Sequence, residues 1–140
     1  MIVTRDQINQ IIEKCIWIPS GDNCQPWTFE WDGETLGIIH SAGRAKHPLN
    51  PAGTASMLSL GCLLNAIDLA ASDFHFRTSF TIEKPNQQDE SLWARVQFVA
   101  SDRPQNALSE VLVHRAADRQ LYKGGDLNRI VVSAEHKGWC

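Results

Sequence analysis

Ser20, Asn23 and Gln25 fall within one short stretch, Pro19-Ser20-Gly21-Asp22-Asn23-Cys24-Gln25-Pro26-Trp27. A hydroxyl and two carboxamides so closely spaced can each donate and accept hydrogen bonds. The two amides suit the edge of a uracil-like ring, where C=O and N–H groups alternate. Gly21 lets a ligand come close to the backbone, since it has no Cβ. Pro26 fixes the exit of the loop and Trp27 is expected to anchor the next element in the core. On residue types alone, an Asn-stabilised turn ahead of a buried Trp explains the same stretch, and both readings stand at this point.

Two further groups invite chemical readings. Arg115 and Arg119, in Arg115-Ala116-Ala117-Asp118-Arg119, read by themselves as cations on a solvated helix end. Cys24 beside Asn23 suggests a thiol nucleophile, with His47 or His75 as its base, but the surroundings match no cysteine-hydrolase pattern. The five histidines, His40, His47, His75, His114 and His136, lack paired ligand spacing and read as surface or loop residues. The four cysteines include no Cys-x-x-Cys pair, so free thiols are expected, with Cys15 and Cys62 as small core residues.

These residues need elements to hold them. Thr4-Arg5-Asp6-Gln7 fits a capping box. Ile8, Ile11, Ile12, Cys15 and Ile16 then follow at helical spacing, and Pro19 marks the end of that helix. Trp27, Phe29 and Trp31 alternate as a strand, Asp32-Gly33 signals a hairpin, and 35–39 reads as the return strand. Residues 44–53 read as loop. Residues 54–72 form a helix that is apolar on nearly all sides, fit for the centre of a fold or a subunit interface. Its Asn65 and Asp68 argue against a membrane span, where such groups are costly. Phe74, Phe76, Thr78, Phe80 and Ile82 alternate as a further strand, 85–91 is a polar turn, and 93–99 is the next strand. Pro104 opens a helix carrying Leu108, Val111 and Leu112. After Gly124-Gly125-Asp126, the spacing of Leu127, Ile130, Val131 and Ala134 predicts an amphipathic helix in the tail. The sum is an α+β domain with an antiparallel sheet packed around a buried central helix.

The order Pro19 to Trp27 resembles the Pro-Ser-x-x-Asn-x-Gln-Pro-Trp signature of the FMN-dependent nitroreductase family, which there also follows a helix and precedes a strand. Ser59-Leu60-Gly61-Cys62-Leu63-Leu64-Asn65-Ala66-Ile67-Asp68-Leu69-Ala70-Ala71 is similar to that family's central helix, which forms much of the dimer interface. The 44–51 spacing and the 115–119 segment resemble a divergent, Acg-like branch in which two nitroreductase-like halves share one chain. The resemblance implies that Ser20, Asn23 and Gln25 contact FMN or its ribityl chain. It also implies that Arg115 and Arg119 stand where a phosphate clamp would be, with Ala117 at the family's Ser or Thr position. The family's own Arg-x-Ser-x-Arg clamp precedes the first helix; here only Met1 to Thr4 do so, and Arg5 lies within the helix. One expectation is therefore a single domain over 1–140 that is an incomplete half, whether fragment, remnant or one partner of an assembly.

The totals agree with a small folded domain. The chain has 140 residues, 43% hydrophobic and 21% charged, enough apolar content for a core. A net charge of −3 gives no basic excess, so nucleic acid is not an expected partner. The N-terminal MIVTRDQINQ lacks the apolar centre of a signal peptide, and no apolar run reaches spanning length without a polar break. A cytoplasmic protein is expected, with no membrane partner. The function the resemblance implies is a nitroreductase-type oxidoreductase with FMN as cofactor, passing electrons from NAD(P)H to a small acceptor. The site would be shared in a homodimer or with a second half. The alternative is a non-catalytic module that sequesters flavin or binds a partner.

Overall fold

The computed structural model describes residues 2–46, 48, 50–83 and 90–117. The chain opens with α1 (Arg5–Cys15), started by the capping box expected of it. Thr4 Oγ1 accepts from Gln7 N, and Gln7 Oε1 accepts from Thr4 N at 2.9 Å. Two otherwise orphaned N–H groups are satisfied by this exchange. Ile8, Ile11 and Cys15 are buried as one stripe, while Ile16 leaves the stripe and is half exposed.

Strands β1 (Trp27–Trp31) and β2 (Thr35–His40) form the first hairpin. Asp32 Oδ1 accepts from the Glu34 and Thr35 amides, and Gly33 takes a φ of 105°, a conformation that side chains resist. A short helix, α2 (Ala42–Ala45), then occupies part of the stretch expected to be loop. Ser41 starts it by accepting from both Arg44 N and Ala45 N through its carbonyl.

Helix α3 (Thr54–Ala71) is the centre of the fold. Leu60, Leu63, Leu64, Ala66, Ile67, Ala70 and Ala71 are buried against α1 and the sheet. Leu58, Gly61, Cys62 and Asn65 form an exposed stripe at helical spacing. Cys62 is thus on the surface, contrary to its expected core place, whereas Cys15 packs inside. The segment Thr54–Phe74 is long and apolar enough to cross a membrane, with a mean hydropathy of 1.4, yet half of it is buried inside the fold. Its Asp68 is tied to Thr78 and Arg103, as a core helix of a folded domain permits.

Strand β3 (Phe76–Ile82) begins two residues later than the alternation suggested, because Phe74 closes a 3₁₀ turn over Ser72–Phe74 and His75 reverses the chain at φ 59°. It pairs with β4 (Ser91–Ala100). The sheet is antiparallel throughout, in the order β1-β2-β4-β3. Opposite Ile38 and Ile39, β4 carries one extra residue, Trp93, so the ladder has a bulge there. Trp93 is fully buried and stacks flat on His40, ring centroids 3.9 Å apart. His40 is therefore a core residue and not a surface histidine. His75 and His114 are exposed; His47 and His136 lie outside the described residues.

After β4 the chain does not enter a helix at Pro104. Arg103 instead reaches back to Asp68, and Asn106 N donates to Ser72 Oγ at 2.9 Å. Helix α4 (Leu108–Val111) starts only after Asn106, whose Oδ1 accepts from Leu108 N. Lys14, Asp73 and Ser109 then form a polar clamp that ties α1, the turn after α3 and α4 together. Of the expected turn at 85–91, residues 85–89 lie outside the described residues, while Glu90 is exposed and Ser91 opens β4. The predicted tail helix lies outside them entirely.

Candidate functional site

The loop from α1 to β1 is held at both ends by buried residues. Ile18, whose N–H donates to Cys15 O at 3.2 Å, is buried at the start, and Pro26 and Trp27 are buried at the end. Between them the backbone folds into one 3₁₀ turn over Gly21–Asn23. Asn23 N donates to Ser20 O and Cys24 N to Gly21 O. Three side-chain-bearing residues, Asp22, Asn23 and Gln25, take φ values of 48°, 56° and 42°. Asn and Asp tolerate this left-handed region; Gln does so at a cost, and more so immediately before Pro26. Such strain persists only where surrounding bonds over-determine it.

Those bonds are present. Gln25 N donates to Ser20 Oγ at 3.0 Å. Gln25 Nε2 donates to Ile16 O at 2.7 Å and to Asn23 Oδ1 at 3.3 Å. Trp27 N donates to Gln25 O at 2.7 Å, closing a three-residue turn with Pro26 at its centre. Ser20, Asn23 and Gln25 are thereby knit into one polar group.

The opposite wall comes from the far end of the described chain. Residues Leu112–His114 form a 3₁₀ turn that packs on α1. The chain then extends at Arg115, whose Nε donates to the carbonyl of Trp17. The loop and this segment enclose a cleft of about 520 Å³, lined on the polar side by Ser20, Asn23, Gln25 and Arg115. Its apolar side includes Trp17, 45% exposed, and Ile16, 50% exposed. A volume of this size suits a cofactor-sized ligand.

Of the six candidate residues, the structure brings four together. Gly21 is not among them: it faces a smaller cavity of about 220 Å³ with Asp22, Cys24 and Asn50. A Cβ built on Gly21 would meet nothing within 4 Å, so the backbone there is open to approach without glycine being sterically required. Arg119 lies outside the described residues. Cys24 lines the smaller cavity and not the larger one, and His75 sits near Arg103 with Nδ1 3.4 Å from its carbonyl oxygen. Sequence reasoning passes over Trp17. Its signal was an exposed indole immediately beyond the α1 stripe, a place where an apolar ring has no core to fill.

No protein-family model matches the chain, and no curated protein matches it. Solved structures do. A nitroreductase family protein from Clostridium novyi NT superposes with a TM-score of 0.56 at 14% identity, covering 79% of this chain and 81% of that one. The fold is that of the nitroreductases. An FMN-dependent nitroreductase from Clostridium difficile R20291 gives a TM-score of 0.54 at 10% identity, covering 86% and 91% of the two chains. A Desulfovibrio desulfuricans protein assigned as a nitroreductase and solved in complex with FMN gives 0.55 at 14% identity, covering 84% and 88%. At these identities the likeness is one of fold: an antiparallel sheet with a central helix, as the sequence pattern led one to expect.

The cleft offers a hydroxyl, two amides and a guanidinium, groups able to hydrogen-bond carbonyl and anionic oxygen. The indole of Trp17 on the rim offers a flat apolar face.

Proposed function

We propose that this chain is a member of the nitroreductase family, of its divergent Acg-like branch, and works as an FMN-dependent oxidoreductase. The observation that carries the reading is the meeting of Ser20, Asn23 and Gln25 with Arg115 around one cofactor-sized cleft, on a nitroreductase fold. Ser20, Asn23 and Gln25 would bind the ring or ribityl chain, and Arg115 the phosphate. When bound, FMN supplies two-electron redox chemistry between NAD(P)H and a small electron acceptor. The protein's part is to bind, orient and exclude water. The setting is cytoplasmic.

The exposed stripe of α3, Leu58, Gly61, Cys62 and Asn65, bears on partners. Leu58 is 70% exposed, and Phe80 and Ile82 on β3, each about half exposed, share a groove with Gly61 and Asn65 of the stripe. Apolar surface of this kind on a central helix favours association with an identical chain or a second nitroreductase-like half. It also favours the second reading, a non-catalytic module that sequesters flavin or binds a partner through this face.

The test is the colour and stability of the purified, unheated protein. A flavin spectrum, or a melting temperature raised by FMN more than by riboflavin, is expected, since a ligand of the native state must stabilise it. NADH- or NADPH-dependent reduction of the bound flavin then separates the enzyme from the sequestering module. A colourless protein whose melting is indifferent to FMN overturns both flavin readings and leaves association as the function.

A further inference from the structure

The hydrogen bonds of the loop fix which way its two carboxamides point. A carbonyl oxygen has no proton to give, so the Gln25 group 2.7 Å from Ile16 O is its NH₂. The second hydrogen of that NH₂ meets Asn23 at 3.3 Å, so the Asn23 atom there is the oxygen. Both donors of Gln25 are consumed by the protein. What remains for the cleft is Asn23 Nδ2, which makes no hydrogen bond among the described residues, together with Gln25 Oε1. Ser20 is polarised in the same sense. Its Oγ already accepts from Gln25 N, which leaves its proton and one lone pair to offer. Arg115 can only donate.

The geometry points to Gln25 as a positioning residue that locks the Asn23 amide with its NH₂ toward the cleft. The cleft then meets its ligand mainly as a hydrogen-bond donor and takes one that presents carbonyl or anionic oxygen to Asn23, Ser20 and Arg115. For the identity of that ligand the inference rests on the flavin reading above. The residue types alone allowed each amide to donate or accept; the Ile16 carbonyl removes that freedom. It also gives a reason for the left-handed backbone at Gln25, whose φ of 42° turns the side chain back toward the end of α1.

Side-chain amide resonances of isotopically labelled full-length protein test the lock directly. In the ligand-free protein the Gln25 NH₂ protons are expected to exchange slowly with water, and the Asn23 NH₂ protons quickly. Adding FMN is expected to slow the Asn23 pair and leave the Gln25 pair unchanged. Asn23→Asp keeps the acceptor that Gln25 needs but removes the donor, so its melting temperature should stay close to that of the parent while FMN affinity falls about tenfold. Gln25→Met should leave the Asn23 amide without a single orientation. Slow exchange at Asn23 and fast exchange at Gln25 in the ligand-free protein would overturn the lock, as would fast exchange at both. FMN that binds without slowing the Asn23 pair would overturn the donor role. If FMN fails to bind at all, the flavin reading falls by itself, and the ligand-free spectrum still decides the orientation of the two amides.

Discussion

The Nε of Arg115 donates to the main-chain carbonyl of Trp17, a contact that spans 98 residues of sequence. It closes the cleft by joining the segment after α4 to the end of α1. It also anchors the guanidinium of Arg115, which lines the same cleft as Ser20. A phosphate met by such a planar fork is held by paired, charge-assisted bonds.

Arg115→Lys is therefore not a conservative change. Lysine keeps the charge but cannot both donate to Trp17 O and present a fork. A loss of roughly 1.5–3 kcal/mol in FMN affinity is expected, with much less change in riboflavin affinity, since hydrogen bonds to charged groups carry that weight. Fluorescence titration of the two flavins against parent and variant reads the difference. An equal loss for both flavins would move Arg115 away from the phosphate.

Trp27 couples the loop to the core. It is buried to 4% exposure, and its carbonyl accepts from Arg44 while its amide closes the turn at Gln25. Trp27→Ala should cost roughly 3–5 kcal/mol of stability by opening a cavity under the loop. Chemical denaturation measures this, and a cost below about 1 kcal/mol would mean that the loop is held by its hydrogen bonds alone.

The capping box at Thr4, the α1 stripe, the β1 alternation and the Asp32-Gly33 hairpin were legible because each is a local signal, repeated within a few residues. So was the cluster of Ser20, Asn23 and Gln25. What was not legible depends on distant partners. His40 reads as polar, but β2 lies between β1 and β4, and the extra residue in β4 brings Trp93 flat against its ring. Pro104 is a good first helical residue in isolation, yet Arg103 and Asn106 are drawn to Asp68 and Ser72, so the helix waits until Leu108. Gly21 and Gln25 belong to one motif by sequence but face different cavities, because the 3₁₀ turn between them rotates the backbone. Arg115 was a candidate by type; its place opposite Ser20 is set by the packing of 112–114 on α1.

The cysteines should separate cleanly by reactivity. Burial pushes the Cys15 thiol up from 9.0 to about 12, with Lys14 opposing it only partly. Cys62 is exposed on α3 and Cys24 is half buried. Brief alkylation at pH 8 should label Cys62 and leave Cys15 as thiol, since the thiolate is the reactive form. Mass spectrometry of the peptides reads this. The same burial has a stability consequence. The unfolded chain ionises Cys15 first, so its contribution is complete below pH 9 and is lost as pH rises toward 12. Labelling of Cys15 at the rate of Cys62 in folded protein would contradict the packing of α1.

Asp68 links α3 to β3 and to the segment after β4. Its Oδ1 accepts from Thr78 N at 2.9 Å and Thr78 Oγ1 at 2.8 Å, and its Oδ2 pairs with Arg103 Nη1 at 2.8 Å. Burial works against its charge, but Arg103 and Thr78 outweigh it, and the carboxyl titrates below its usual 3.8. A depressed carboxylate stabilises above the unfolded value and loses that contribution as pH falls through its folded value. With a third of the side chain exposed, Asp68→Asn should cost about 1–2 kcal/mol at neutral pH. Urea midpoints of parent and variant, measured from about pH 6 down to about pH 3, should differ most at the upper end and converge below about pH 4. Because Asp32 is depressed as well, by the Thr35 and Glu34 amides, both proteins will weaken in acid, and the convergence is the informative quantity. A gap that stays constant across the range would mean that the substituted amide merely packs worse than the parent carboxylate and that the charge of Asp68 itself contributes nothing.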